Sequence, residues 1–187
     1  MSKENELRND EENLEKARER FTSEIAKNIH LYDITPSAGR LYGTVFFSEK
    51  SMNLDEMSHA LGMSKTSMST GIRSLLNANM VERVWERGIR KDLYKTEDDW
   101  YKSFSTAFIS RWRKATEQNA VAVKETRMML QSLIDESENK NIKEKANNDM
   151  EKLAHAEEYY DWLNKVISLF ETGEIFEIIP KKSSENK

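Results

Sequence analysis

The 187-residue chain has no cysteine, only two prolines and only six glycines. Without cysteine there can be no disulfide, no thiolate metal site and no cysteine nucleophile, and a reducing compartment is the natural setting. So few glycines and prolines cannot supply the turns of a many-stranded β protein. No apolar run reaches the roughly 18 residues that a membrane span needs, and residues 1–20 carry no apolar signal core. The expectation is a mainly helical cytoplasmic protein of one domain, or one domain with an oligomerisation extension. Charge is plentiful but nearly balanced: 29 Lys+Arg stand against 33 Asp+Glu, for a net charge of −4. Taken whole, that balance argues mildly against a nucleic-acid partner.

The few glycines and prolines divide the chain at informative places. Residues 1–10 are polar and read as a disordered N-terminus. From Leu14 the apolar positions Ala17, Phe21, Ile25, Ile29 and Tyr32 step by three or four, the spacing of one amphipathic helix. Thr35-Pro36 reads as an N-cap followed by a first-turn proline, opening a helix with Leu41, Tyr42, Val45 and Phe46 that ends near Ser48. Asn53 can cap a short helix that Gly62 stops. Ser64 can cap the next helix, Lys65 to about Asn77, whose buried face is Met68, Ile72, Leu75 and Leu76. Val81, Arg83 and Trp85 then alternate with charged neighbours, and a turn at Gly88 leads to Leu93 and Tyr94. This predicts a β-hairpin of about five residues a side. After Thr96, read as a cap, a helical pattern runs to about Ile134. Residues 135–145 read as a polar junction, and a last helix runs from about Lys145 to Phe170, with Gly173 as its C-cap. The domain reading is 11–134 for the hairpin-bearing part and its flanking helices, 144–180 for a C-terminal dimerisation helix and tail, and 181–187 as a disordered end.

Short helix, glycine turn, helix and basic hairpin, in that order, is the plan of a winged helix–turn–helix. The fold class expected is mainly α with a small β-hairpin wing, and with N- and C-terminal dimerisation helices. In that plan the first helix braces the second, which projects its N-terminal residues toward the major groove. The outer face of the second helix carries Ser64, Lys65, Thr66, Ser67, Ser69, Thr70 and Arg73, with no acid from Lys65 to Arg73. Short hydroxyl side chains allow close approach, and the helix N-terminus offers free N–H groups to a phosphate. The hairpin tip places Arg87, Arg90 and Lys91 around Gly88, as a wing reaching the DNA backbone requires. Between Lys65 and Lys95 there are seven cations and three anions. That segment carries +4, so the rest of the chain carries −8, and the acidic balance lies away from the expected binding face.

Residues Leu54 to Trp100, LDEMSHALGMSKTSMSTGIRSLLNANMVERVWERGIRKDLYKTEDDW, resemble the GbsR branch of the MarR-type winged-helix regulators. The ending SLFETGEIFEIIPK, Ser168 to Lys181, resembles that branch's C-terminus. The similarity extends over most of residues 15–181 and is greatest toward choline-responsive repressors of Gram-positive bacteria. It implies a homodimeric cytoplasmic repressor of choline uptake and of choline oxidation to glycine betaine, acting on a double-stranded DNA operator, with choline as inducer.

A quaternary ammonium head has no N–H to donate, so proteins enclose it in aromatic faces. Tyr42, Phe46, Trp100, Tyr101, Phe104, Phe108 and Trp112 are the rings available for such a cage, with Phe47 beside them. The same rings at four-residue steps also read as core, and a strict step of four drifts around a helix by about 40° each time. Glu97, Asp98 and Asp99 nearby have two readings, attraction of a cation to the cage or, the favoured one, support of a helix N-terminus through its dipole. His30, His59 and His155 show no ligand spacing, and neither a metal nor a cofactor is called for. No phosphate-cradling loop or catalytic triad signature is present, so the reading is not an enzyme. Two alternatives stand: a winged-helix regulator with another ligand or none, and a helical protein-interaction adaptor.

Overall fold

The computed structural model describes residues 3–182. Met1, Ser2 and residues 183–187, all within ends read from sequence as disordered, lie outside the described residues. The remainder is mainly helical with one two-stranded antiparallel sheet. In order come α1 (Lys3–Asn28), a 3-10 turn (Ile29–Tyr32), α2 (Pro36–Phe46), α3 (Leu54–Leu61), α4 (Lys65–Asn77), β1 (Val81–Val84), β2 (Leu93–Thr96), α5 (Trp100–Glu136), α6 (Lys140–Thr172) and α7 (Ile175–Ile178). The chain forms two compact units that divide inside α5, at Ala107 and Phe108.

In the first unit the local signals behave as the sequence suggests. Thr35 accepts from the Ala38 amide with Pro36 in the first turn. Asn53 and Glu56 close a reciprocal capping box at the start of α3, and Gly62 ends that helix at φ 62°. Ser64 caps α4 by accepting from the Ser67 amide. Met68, Ile72 and Leu75 face inward from α4 and meet Leu41, Tyr42 and Val45 of α2, Met57 of α3 and Val81 of β1 in one core. The hairpin pairs Val81 with Thr96 and Val84 with Leu93. Met52 extends it, exchanging two backbone hydrogen bonds of 2.9 Å with Tyr94 and so anchoring the hairpin beside the start of α3.

The contact that sets the frame is between α1 and α2. A Cβ placed on Gly39 would lie 2.7 Å from the Cα of Ala26, and one on Gly43 would lie 2.3 Å from the Thr22 side chain. Gly39 and Gly43 stand four residues apart on α2, and Thr22 and Ala26 four apart on α1, so each pair lies on one helix face. Their small size lets the two helices approach to near backbone contact. In isolation a mid-helix glycine is unfavourable by about 1 kcal/mol relative to alanine; here the partner helix leaves no room for alanine.

Several expectations are corrected. Helix α1 takes in Lys3–Asp10, read as disordered, because that stretch is rich in good helix formers and carries an Arg8–Glu12 pair at i,i+4. The cap of α5 is Asp99, whose carboxylate accepts from the amides of Tyr101 and Lys102 at 3.0 and 3.2 Å, while Thr96 is the end of β2. The polar junction shrinks to 137–139, because Asn139 caps α6 five residues earlier than expected.

The second unit comprises the rest of α5 with α6 and α7. Val123, Ala146, Leu163 and Ile167 are buried there. Phe108 packs on Phe170 at 4.5 Å between ring centroids, and Arg113 reaches both Asn164 and Glu171. Val121, Met128, Met129, Leu133 and Trp162 remain exposed on this unit.

Valine at Gly39 must force the α1–α2 crossing apart against a backbone atom that cannot rotate away. Gly39→Val is expected to destabilise the protein by about 2 kcal/mol or more in urea unfolding. Gly71→Ala, whose new Cβ comes within 3 Å only of the end of the Leu41 side chain, at 2.9 Å, and otherwise meets Ala38 at an ordinary 3.6 Å, should be near neutral.

Candidate nucleic-acid interface

Helix α4 presents its polar face as the sequence suggests. Lys65, Thr66, Ser67, Thr70 and Arg73 are exposed, and Ser69 is half-buried. Ser64 is engaged in the cap, with its hydroxyl 2.9 Å from that of Ser67 as well, so both serines primarily order the helix start. The amides of the first turn that the cap does not reach point out of the helix end, where a phosphate oxygen is a suitable acceptor. A groove of about 370 Å³ runs along α4, lined by hydroxyls from Thr35, Ser37, Thr66, Thr70 and Ser74.

The cations of this surface fall into two groups. Asp55, in the first turn of α3, pairs with Lys65 of α4 at 2.7 Å and with Lys91 of the hairpin at 2.8 Å. Hydrogen bonds from Lys65 and then Lys91 hold its carboxyl down at about 2, and the Lys91 ammonium is correspondingly raised. Asp55 is therefore ionised throughout the neutral range. Its contribution to stability is complete above about pH 4 and is lost as the pH falls toward 2. Exposed pairs of this kind add little to stability; the importance of this one is positional, since one carboxylate links three elements. On the strands, Arg83 pairs with Asp92, and Lys95 with Glu82. Among the described residues Arg73, Arg87 and Arg90 have no ion-pair partner, and all three are exposed. They are the cations immediately available to a polyanion.

A second feature lies on the same unit. A cavity of about 230 Å³ is lined by Ile25, Asn28, Ile29, Leu31, Tyr32, Tyr42, Met80, Trp100 and Ser103, with no carboxylate among them. Burial pushes the Tyr42 hydroxyl up to about 12. Of the seven rings nominated from sequence, Tyr42 and Trp100 line this cavity. Phe46 packs on Trp100 at 5.9 Å, within a cluster that includes Phe21 and Phe47. Tyr101 and Phe104 are outside the lining and exposed. Phe108 and Trp112 belong to the second unit, where they stand 6.4 Å apart. Tyr32 and Met80 also line it and carry no sequence signal for that role: the spacing marks Tyr32 only as the end of an amphipathic helix, and Met80 sits between elements. Glu97 pairs with Lys102, and Asp99 caps α5, so neither acid faces the cavity. Among the described residues no three His, Cys, Asp or Glu side chains gather as a metal site, and no helix is long and apolar enough to cross a membrane.

Residues 100–177 match the family described as "GbsR family transcriptional regulator, C-terminal helical hairpin". The chain is 39% identical to the putative HTH-type transcriptional regulator YvaV of Bacillus subtilis over 168 residues, covering 90% of this chain and 95% of that protein. It is also 39% identical to the HTH-type transcriptional repressor GbsR of that organism over 168 residues, covering 89% of this chain and 93% of the relative. This chain belongs to the GbsR family of transcriptional regulators. A third relative, the B. subtilis HTH-type transcriptional repressor OpcR, is 37% identical over 169 residues, covering 90% of this chain and 91% of that protein.

A polyanion would have to compete with Asp55 for Lys65 and Lys91. Asp55→Asn frees both ammonium groups. On random-sequence duplex, the slope of log affinity against log salt should steepen by up to about 2. Fluorescence anisotropy across a sodium chloride series measures it, and an unchanged slope would show that Asp55 does not hold the two lysines back.

Proposed function

We propose that the chain is a homodimeric winged helix–turn–helix repressor that holds operator DNA through α4 and the β1–β2 wing. It releases that DNA when choline, or a related quaternary ammonium compound, enters the Tyr42–Trp100 cavity. The genes under its control are those for choline uptake and for glycine betaine synthesis, and it works in the cytoplasm. The observation that carries the DNA part is the set of unpaired exposed arginines, Arg73 on α4 with Arg87 and Arg90 on the wing, in a family of transcriptional regulators.

The roles divide by position. Lys65, Thr66, Ser69, Thr70 and Arg73 face base edges, where hydrogen-bonding side chains discriminate sequence. Arg87, Arg90 and Lys91 neutralise backbone phosphates, which supplies affinity without sequence information. One recognition helix spans only a few base pairs, so specific binding calls for two copies on half-sites about 34 Å apart. The exposed Val121, Met128, Met129, Leu133 and Trp162 of the second unit supply apolar surface for that pairing.

The ligand part is supported by the chemistry of the cavity. Its rings present negative faces to a cation that cannot donate an N–H, and its polar atoms are few. Its volume is below the roughly 300–1,000 Å³ of drug-sized sites, as suits a small osmolyte. Helix α2 links the two functions: Ala38 and Leu41 pack toward α4, and Tyr42 lines the cavity. A 100-fold preference of the ligand for the DNA-free arrangement supplies about 2.7 kcal/mol against operator binding.

Operator release by choline, followed by anisotropy, tests this reading. Trp100→Leu and Tyr32→Leu are expected to keep operator affinity within about threefold while raising the choline needed for release by tenfold or more. Trp112→Ala, outside the cavity lining, should respond as the wild type does. A response lost in Trp112→Ala and kept in Trp100→Leu would contradict the assignment.

A further inference from the structure

The most prominent side chain near the hairpin tip is an indole rather than a cation. Trp85 follows β1 directly and is 79% exposed, and Ile89 across the turn is 41% exposed. Among the described residues no ring stacks on Trp85 and no cation covers it. Leaving so large an apolar surface in water forgoes a substantial burial free energy. Some occupant therefore fits this patch, and the surrounding charges say which kind.

Every acid of the hairpin is engaged and drawn back toward its base. Glu82 pairs with Lys95, Asp92 with Arg83, and the Glu86 carboxylate accepts from the Ser51 hydroxyl ahead of α3. Arg87 and Arg90, on either side of Gly88, have no ion-pair partner among the described residues. The indole thus sits in a patch whose uncompensated charge is positive. Behind it, Lys91 ties the hairpin through Asp55 to Lys65 at the start of α4. An apolar plate flanked by two free guanidinium groups complements a polyanion with apolar walls, which describes a DNA groove lined by deoxyribose.

Resting on the DNA-binding role proposed above, we infer that Trp85 contacts DNA directly. Its indole lies against the deoxyribose walls of the minor groove, while Arg87 and Arg90 take the phosphates on either side. This contact has a signature that separates it from the charged ones. Burying an indole releases no counterions, so it changes affinity without changing its salt dependence.

The test uses the full chain and the tightest-binding duplex that the wild type selects from a randomised pool. Trp85→Ala should weaken binding about tenfold at an unchanged log–log salt slope, and Trp85→Phe should stay within about threefold. Arg87→Ala should instead flatten the slope by about 1. The emission of Trp85, taken as wild type minus Trp85→Phe, should be quenched and shielded from acrylamide when the duplex is added; this readout uses the undisturbed fold. Unchanged affinity of Trp85→Ala, or a Trp85 emission indifferent to DNA, overturns the inference while leaving the regulator reading intact. If the wild type selects no duplex in a salt-dependent manner, the DNA-binding reading falls and the Trp85 assignment falls with it.

Discussion

The near-contact of α1 and α2 is the constraint on which the rest of the first unit depends. Two glycines on α2 face Thr22 and Ala26, and no larger residue fits where Gly39 meets the Ala26 backbone. That crossing fixes the orientation of α2, and α2 then serves three neighbours at once. Leu41 and Ala38 form the seat of α4 around Gly71. Tyr42 is a wall of the aromatic cavity, and Phe46 joins the ring cluster that holds Trp100. An eleven-residue helix therefore positions both the polar face of α4, proposed to meet DNA, and the cavity proposed to take a small ligand. Packed interiors are stiff, and on the proposed function this is how an adjustment of Tyr42 would reach the seat of α4.

The charges on that surface are informative as a pattern. The −4 of the whole chain conceals a segment of +4, and within that segment the cations are of two kinds. Lys65 and Lys91 share Asp55, whereas Arg73, Arg87 and Arg90 are unopposed. A single carboxylate shared by two lysines weakens their attraction to any polyanion, because two ion pairs to one counter-charge must be broken. The same pairs tie α3, α4 and the hairpin together.

How much of this was legible in the sequence depends on whether the cause is local. Caps at Thr35, Asn53 and Ser64, and positive φ at Gly62, Gly88 and Gly173, could be read because each depends on residues within a few positions. The buried face of α4 followed from its periodicity. Gly39 and Gly43 could not be understood that way, since their reason lies on another helix. Asp55 looked like an ordinary first-turn acid until its two lysines, ten and thirty-six positions away, came within 3 Å. The aromatic stripe shows the limit most clearly. A spacing of four gave the helix but not the partners, and the rings divide between a cavity, a packed cluster and the second unit. Tyr32 and Met80 reached the cavity from a 3-10 turn and a loop, where no periodicity marks them.

On the proposed function, the cavity and the DNA-binding surface are one coupled system through α2. Coupling between two bound partners is reciprocal: whatever factor choline takes from operator affinity, operator must take from choline affinity. Isothermal titration of choline into the free chain and into the chain saturated with operator duplex measures this directly. Coupling through α2 gives a weaker choline affinity in the complex, by the same factor, about 10- to 100-fold, that choline imposes on operator binding. Equal choline affinity with and without DNA would contradict it.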